Sequence, residues 1–468
     1  MDRGLWRLAS VVVLGTIMSI LDTTIVNVAI ETLARDLDAS LTSIQWVSTG
    51  YLLALATVIP LTGWAMERFS GRRVWMVSVS LFLLGSGLCG LAWSVESLIV
   101  FRVLQGFGGG MIMPVGQAIL AQAAGPQRMG RVMSVIGVPT LLGPILGPVI
   151  GGLIVDHFSW RWIFFVNLPV GAIALALAYR ILPRAERAGN SRLDVRGMLL
   201  LSPGLALLIF GLSEVGTAGT VLDPRVLIGI LGGAALLVAF AFWSLRGRGT
   251  LVDLTLFKDR AFAAASGTTF IFGVSLFGAM LILPLYYQVV REESALSAGL
   301  LLAPQGIGAA IAMPIAGRLT DKLGAGRIVP FGVLIALAGT LVFTQLSAST
   351  SLVVLAGALF VRGIGLGMTM MPSMAAAYQT LSRAAVPRAT SLINIIRTVG
   401  GSVGVAVLTV VLERQLGGEL PRSSTETAGA LADAFAHTFW WAVGLTALAL
   451  IPAWFLPRHP PPPAAEPG

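Results

Sequence analysis

One cysteine, Cys89, and three histidines in 468 residues leave nothing from which to build a disulfide framework or a histidine and cysteine metal site. Cys89 lies inside an apolar run, and His157, His437 and His459 fall at the ends of such runs or in the terminal tail. Charge is equally scarce, with Asp, Glu, Lys and Arg together making up 11% of the chain. No G-x-x-x-x-G-K-[ST] phosphate loop, H-E-x-x-H zinc motif or pair of intramembrane aspartates occurs. A membrane-embedded enzyme is therefore not expected, and neither is a cofactor or a metal. The net charge of +9 does not indicate nucleic acid, because Arg and Lys sit between apolar runs rather than along one face.

What is abundant is apolar residues, 56% of the chain, together with 55 Gly. That composition belongs to a polytopic membrane protein. Apolar runs of about 18 to 25 residues cross a hydrocarbon core of about 30 Å, and they fall near 8–30, 45–65, 74–94, 98–121, 132–155, 162–182, 197–215, 226–244, 261–288, 298–317, 328–346, 351–377, 390–412 and 435–456. The first follows MDRGLWRL with no small-residue cleavage site, so it reads as an uncleaved span. Fourteen spans with both termini cytoplasmic place 22 of the 31 Lys and Arg inside, including Arg184, Arg187 and Arg248. The outer segments hold Arg35, Arg161, Arg225, Arg291, Arg414 and Arg422, while Arg102, Arg362 and Arg397 lie within spans. Glu413 to Asp433, with Gly417, Gly418 and Pro421, reads as a polar outer loop, and residues 457–468 as a disordered Pro-rich tail.

The chain also repeats itself. GWAMERFSGRR from Gly63 matches GRLTDKLGAGR from Gly317, aligning Glu67 with Asp321 and Arg68 with Lys322; RVLQGFGGGMIMP from Arg102 echoes RGIGLGMTMMP from Arg362. The expected plan is an all-α membrane protein with a six-helix bundle over 1–185, two inserted spans over 186–260, and a second six-helix bundle over 261–456. With LDTTIVNVAI from Leu21, FRVLQGFGGG in the fourth span, GVPTLLGPILGPVIGG with WRWIFFVNLPVG, and NIIRTVGGSVGVA from Asn394, these stretches resemble the major facilitator superfamily, in particular its fourteen-span drug:proton antiporters. The first loop departs from the family pattern G-x-L-x-D-R-x-G-R, with Glu67 for Asp and Ser70 for Gly. The resemblance implies a proton-coupled exporter of amphipathic drugs or related small molecules. A dedicated exporter of one endogenous metabolite, antibiotic, lipid or siderophore carries the same motifs, and a lipid flippase is a further alternative. Its implied partners are protons, a small amphipathic molecule and the lipid of the cell's inner (plasma) membrane, with a monomer as the working unit.

Asp22 is the only carboxylate well inside a span, and an ionised carboxylate there costs several kcal/mol unless it is paired or functional. Thr16, Ser19, Thr23 and Asn27 form a polar stripe beside it, expected to face the cavity. Burial favours the neutral carboxyl and an approaching guanidinium the charged one, so Asp22 can carry the coupled proton. Arg102, which the resemblance implicates in proton transfer, cannot realistically deprotonate; it would switch Asp22 instead. A plain Asp22–Arg102 salt bridge is the structural alternative.

Gly143, Gly147 and Gly151 recur every fourth residue, beside Pro144, Pro148 and Gly152. Such a helix is bare and kinked on adjoining faces, and the resemblance implies a direction-setting hinge packed against the second half. Gly63, Glu67, Arg68 and Arg72, with Asp321, Lys322 and Arg327, are expected to latch the cytoplasmic side or, for some of the Arg, simply to anchor loops. Thr23, Asn27, Gln105, Tyr286, Gln288, Gln305, Asn394 and Arg397 are the candidate cavity residues, with Trp46, Tyr51, Phe272, Phe277 and Tyr287 as possible aromatic contacts. Three intramembrane Arg against one Asp suit a neutral or anionic amphiphile better than a dication.

Overall fold

A helix in lipid must satisfy its own backbone, and neighbouring helices gain by approaching closely at small residues. The computed structural model describes residues 2–183, 191–218, 220–247, 251–347, 349–416 and 424–459, and among these no strand occurs. Arg184, Arg187, Arg248, Arg422, Gly417, Gly418, Pro421 and tail residues 460–468 lie outside the described residues, as does the side chain of Pro144.

The helices run in chain order: α1 Arg3–Val28, α2 Ile30–Asp36, α3 Leu41–Val58, α4 Leu61–Phe69, α5 Gly71–Gly90, α6 Val95–Ala124, α7 Met129–His157, α8 Trp162–Phe165, α9 Asn167–Ile181, α10 Val195–Ala218, α11 Pro224–Leu245, α12 Arg260–Leu285, α13 Ala295–Leu301, α14 Ala303–Leu323, α15 Ala325–Leu341, α16 Leu352–Gln379, α17 Val386–Leu416, α18 Ser424–Leu448 and α19 Leu450–Ala453. Twelve of the described helical segments are long and apolar enough to cross a membrane; two bent pairs, 43–69 at 55° and 126–157 at 46°, pass the same test. The first bend falls at Pro60, which offers no backbone N–H to continue the ladder. The loop expected over 413–433 is shorter at both ends, because α17 continues to Leu416 and α18 starts at Ser424.

Helix starts are capped where the sequence allows it. Asp2 accepts the Leu5 N–H at 2.8 Å with one oxygen and Arg128 at 2.8 Å with the other. Those contacts, the backbone N–H first, hold the Asp2 carboxyl below its usual range. Ser94 and Ser97 form a reciprocal capping box at the head of α6.

Packing is organised on α6 and α16. A Cβ on Gly106 or Gly110 would stand 2.6 Å from the Tyr51 or Leu55 carbonyl of α3, and one on Gly85 of α5 would stand 2.6 Å from Gln105 Cα. α16 is wedged in the same way between α14 and α15, where a Cβ on Gly363 would strike the Gln305 carbonyl and one on Gly365 the Ala336 backbone. The added pair α10 and α11 cross at Gly211 and Gly229. α10 lies against both α3 and α17, and its Ser202 hydroxyl donates to the Thr57 carbonyl at 2.7 Å.

The repeated loops share one backbone bend. Ser70 has φ 75° and ψ 147°, and its repeat counterpart Gly324 has φ 83° and ψ 149°. That region is open to Gly and costs other residues about 1–3 kcal/mol. Ser70→Gly should therefore stabilise the fold by about 1 kcal/mol after the added chain entropy of glycine. A raised thermal midpoint in detergent is the expected reading; an unchanged or lower midpoint would show that the Ser70 side chain repays its strain.

Candidate functional site: a buried carboxylate network and two gates

Asp22 sits in the C-terminal third of α1 and is 1% exposed, as is Arg102 of α6. Arg102 Nη1 donates to Asp22 Oδ2 at 2.6 Å and to Gln105 Oε1 at 2.7 Å. The second Asp22 oxygen accepts from Gln105 Nε2 at 2.8 Å and from Asn167 Nδ2 at 2.9 Å. Asn167 also donates to Ser86 Oγ at 3.0 Å, and Ser86 donates to the Phe164 carbonyl at 2.9 Å. The Arg102 guanidinium donates through Nε to the Val47 carbonyl at 3.2 Å and lies 4.0 Å above the Tyr51 ring. Both Asp22 oxygens are thus taken up by side-chain donors, one of them a guanidinium.

Asn167, Ser86 and Tyr51 were not singled out as partners of this pair by sequence reasoning. Asn167 does stand inside the quoted motif WRWIFFVNLPVG, ahead of Pro169 at a helix start. A buried amide in that setting is the signal that was available.

The glycine face of α7 is turned towards α1, not the second half. A Cβ on Gly143 would strike Ile20 and one on Gly147 would strike Thr24, while Gly151 lies beside the Ile25 backbone. Thr24 Oγ1 donates to the Gly143 carbonyl at 3.4 Å. The physical reason is that α1 crosses α7 at the bare backbone, where small residues allow the closest approach. Gly152 faces open space, and Pro148 touches the region of Gly299 in α13. Other faces of α7 do meet the second half, at Pro148 beside α13, at Gly137 beside Met313 and Met371, and at Gly130, where α7 and α14 come together at Gly317.

Two ion pairs close that end of the seam between the halves. Glu67 of α4 takes Arg388 of α17 in a two-pronged contact, Nε at 2.6 Å and Nη2 at 2.7 Å. Beside it, the backbone of Gly63 is packed on Arg388, 3.2 Å from an added Cβ to Arg388 Cα. In the repeat-related position, Asp321 Oδ1 accepts the Gly130 N–H at 2.8 Å and Oδ2 accepts Arg131 Nε at 2.8 Å. The expected carboxylates are at the seam, but the cations that meet them there are Arg388 and Arg131. Arg72 turns to α9 instead, donating to the Tyr179 carbonyl at 2.6 Å and lying over the Tyr179 ring. Lys322 and Arg327 are exposed, and Arg68 ends α4.

The candidate cavity residues are scattered rather than gathered. Thr23 donates to the Ser19 carbonyl, Asn27 is exposed and accepts from Ser48, and Gln105 belongs to the Asp22 network. Tyr286, in the π-turn Tyr286–Val290 after α12, donates to the Ser347 carbonyl and packs on Tyr287 and Phe435. Gln288 is exposed on the same turn. Gln305 accepts from the buried Arg362, and Asn394 donates to Gln117 at 2.8 Å across the seam. Arg397, with Phe272 and Phe277, lines a cavity enclosed by α12, α16 and α17. Trp46 stacks on Phe210 of α10. Among the described residues no His, Cys, Asp and Glu cluster could hold a metal ion.

The Major Facilitator Superfamily family model matches residues 12–405. The chain belongs to the major facilitator superfamily. It is a membrane transporter rather than an enzyme. Among curated relatives it is similar to the multidrug resistance protein B homolog of Mycobacterium tuberculosis, 43% identical over 98% of this chain and 91% of that protein. It is also similar to the multidrug export protein EmrB of Escherichia coli, 32% identical over 85% of this chain and 78% of the relative. Among solved structures, the human organic anion transporter MFSD10 superposes with a TM-score of 0.64 at 16% identity, covering 95% of this chain and all of the other. The proton:xylose symporter XylE gives 0.64 at 15% identity, covering 97% of this chain and 96% of its own. At such identities the structural likeness concerns the fold.

Glu67 and Asp321 generate one prediction for this transporter. Removing one member of a partly buried charge pair costs about 1–3 kcal/mol, enough to shift a two-state equilibrium roughly 5- to 150-fold. In the Glu67→Gln, Asp321→Asn double variant, spin labels at the exposed positions Phe69 and Arg383 should show a longer, broader distance than in the parent. A distribution identical to the parent's would show that these pairs do not hold the seam.

Proposed function

We propose that this transporter exports amphipathic small molecules from the cell in exchange for protons, and that Asp22 carries the proton. The observation that carries the reading is the Asp22 network: a carboxylate within a span, closed to solvent, whose oxygens meet Arg102, Gln105 and Asn167. Withdrawal of Arg102 as the helices rock would favour the neutral form, so α1 can pick up a proton on one side and release it on the other. Each pH unit of gradient supplies about 1.4 kcal/mol and each 100 mV about 2.3 kcal/mol per charge.

The remaining assignments follow the same reading. Counting each bent pair as one span gives fourteen, with both termini cytoplasmic and the Glu67 and Asp321 pairs at the cytoplasmic face. The chain then comprises two six-helix bundles, over 1–185 and 261–456, joined by a linker pair and followed by a short tail, in the plasma membrane and working as a monomer. The structure is then closed towards the cytoplasm, the state in which an exporter releases cargo outside. The printed names of the relatives, multidrug resistance and multidrug export, support amphipathic drugs as cargo.

Asp22→Asn keeps the shape of the side chain and removes its proton. In everted vesicles carrying the variant, substrate uptake driven by a pH gradient should fall at least about tenfold, the loss given by removing one charge-assisted partner, with membrane insertion unchanged. Full gradient-driven uptake by Asp22→Asn would overturn the assignment.

A further inference from the structure

Helices α14 and α16 meet backbone to backbone: a Cβ on Gly308 would strike the Phe360 carbonyl, and one on Gly367 would stand 2.9 Å from the Ala309 carbonyl. One turn further along α14, Ala312 and Ala316 are too small to fill the space between the two helices, and a groove of about 160 Å³ opens there. Its walls are Ile311, Ile315 and Leu319 of α14 and Ile364 and Met368 of α16. α14 turns Gly317 to α7 and Gly308 to α16, and Ala316 and Thr320, which lie between those two sides, are buried. The opposite side of α14 carries Ile307, Ile311 and Ile315, each about half exposed. The groove therefore opens outwards, where the bilayer is.

The internal repeat shows what becomes of this face in the other half. The alignment that brings Gly63 onto Gly317 brings Thr57, Leu61 and Trp64 onto Ile311, Ile315 and Arg318. There the inserted α10 and its lead-in cover the face: the Ser202 hydroxyl donates to the Thr57 carbonyl at 2.7 Å, and the Trp64 indole donates to the Ser191 carbonyl at 3.2 Å. Among the described residues no segment covers Ile311 and Ile315 in the same way. Arg318 and Lys322 continue their stripe towards the end of α14, both exposed and neither in an ion pair among the described residues. The neighbouring carboxylate, Asp321, is 3% exposed and already holds the Gly130 N–H and Arg131. The groove thus ends in unopposed positive charge. From Ile311 to Lys322 is eleven residues, roughly 16 Å along the axis at 1.5 Å per residue, close to the ~15 Å of half a hydrocarbon core.

We propose that the groove between α14 and α16 holds one anionic phospholipid of the bilayer, with an acyl chain lying along Ile311, Ile315 and Met368 and the phosphate at Arg318 and Lys322. The guanidinium can take two phosphate oxygens at once and the ammonium a third, while the stems of both side chains lie along the apolar stripe. A headgroup of net negative charge is selected over a zwitterionic one, because the ammonium of the latter meets two cations and no free carboxylate. Basic sites between transmembrane helices take anionic headgroups in this manner. The lipid here does for the second half what α10 does for the first: it covers the outer face of the helix that bears the seam carboxylate. The site lies outside the transport pathway and does not depend on what the transporter carries.

The probes are phosphatidylglycerol and phosphatidylcholine with the same two acyl chains. Native mass spectrometry of the full-length protein in detergent, incubated with equal amounts of both, gives their ratio in the first lipid bound. Arg318→Gln with Lys322→Gln should lower that ratio at least about fivefold, the effect of a single cation near an anionic surface. Ile315→Trp, which fills the groove and keeps both cations, should lower first-lipid occupancy at least about fourfold, the effect of keeping one methylene unburied. Lys258→Gln with Arg260→Gln removes two exposed cations elsewhere and should leave the ratio within about twofold of the parent's. All these positions are exposed, so the fold tolerates the changes. A smaller fall in the Arg318 and Lys322 variant, or an equal fall in the Lys258 and Arg260 variant, overturns the site and leaves only a general attraction of the basic rim. Unaltered occupancy in Ile315→Trp overturns the groove as the seat of the chain. A shift of the lipid-free protein from dimer to monomer in Ile315→Trp overturns the proposal in favour of a second copy of this chain as the occupant.

Discussion

A carboxylate and a guanidinium sealed together in the middle of a membrane protein set the terms for everything around them. Two isolated charges there would each cost several kcal/mol, and their mutual attraction compensates only when the remaining hydrogen-bonding capacity is also filled. Gln105, Asn167 and the Val47 carbonyl do that filling, and each comes from a different part of the fold. Asn167 needs α9 to start where it does, Val47 needs α3 to pass beside α6, and α6 reaches α3 only because Gly106 and Gly110 have no side chains. The glycine content that excludes a soluble helix is what lets the ion pair be buried.

The same helix that bears Asp22 meets the bare face of α7 one turn further on. Thr24 touches Gly147 and donates to the Gly143 carbonyl, while the lower part of α7 carries Gly130 and Arg131 to Asp321. α1 and α7 therefore join the carboxylate network to the seam through contiguous packing. A change in how α1 sits on α6 cannot leave α7 in place, because closely packed glycine faces have no slack.

Hydropathy made the helices legible, since lipid demands long apolar runs: twelve of the described helical segments are long and apolar enough to cross, and the runs read near 45–65 and 132–155 fall on the two bent pairs. The repeat made Glu67 and Asp321 legible as a pair of equivalent positions. Their partners were not, because Arg388 and Arg131 lie in sequence among ordinary basic residues at helix starts, and only the close approach of α4 to α17 and of α7 to α14 selects them. Asp22 and Arg102 stood out as charges where charges are rare. Asn167 did not, because an amide beside a proline at the start of a span is common at interfaces. Polar residues scattered along a sequence could not reveal that Tyr286 and Gln288 sit on the turn after α12 while Arg397 lines a cavity with Phe272 and Phe277; that depends on helix rotation about its axis.

The inserted helix α10 touches α3 in one half and α17 in the other, held to α3 by the Ser202 hydroxyl. The opposite seam, between α7 and α14, closes by the direct approach of Gly130 to Gly317. Any motion that parts the halves must therefore pull α10 from one of its two partners at the first seam and separate closely packed backbones at the second.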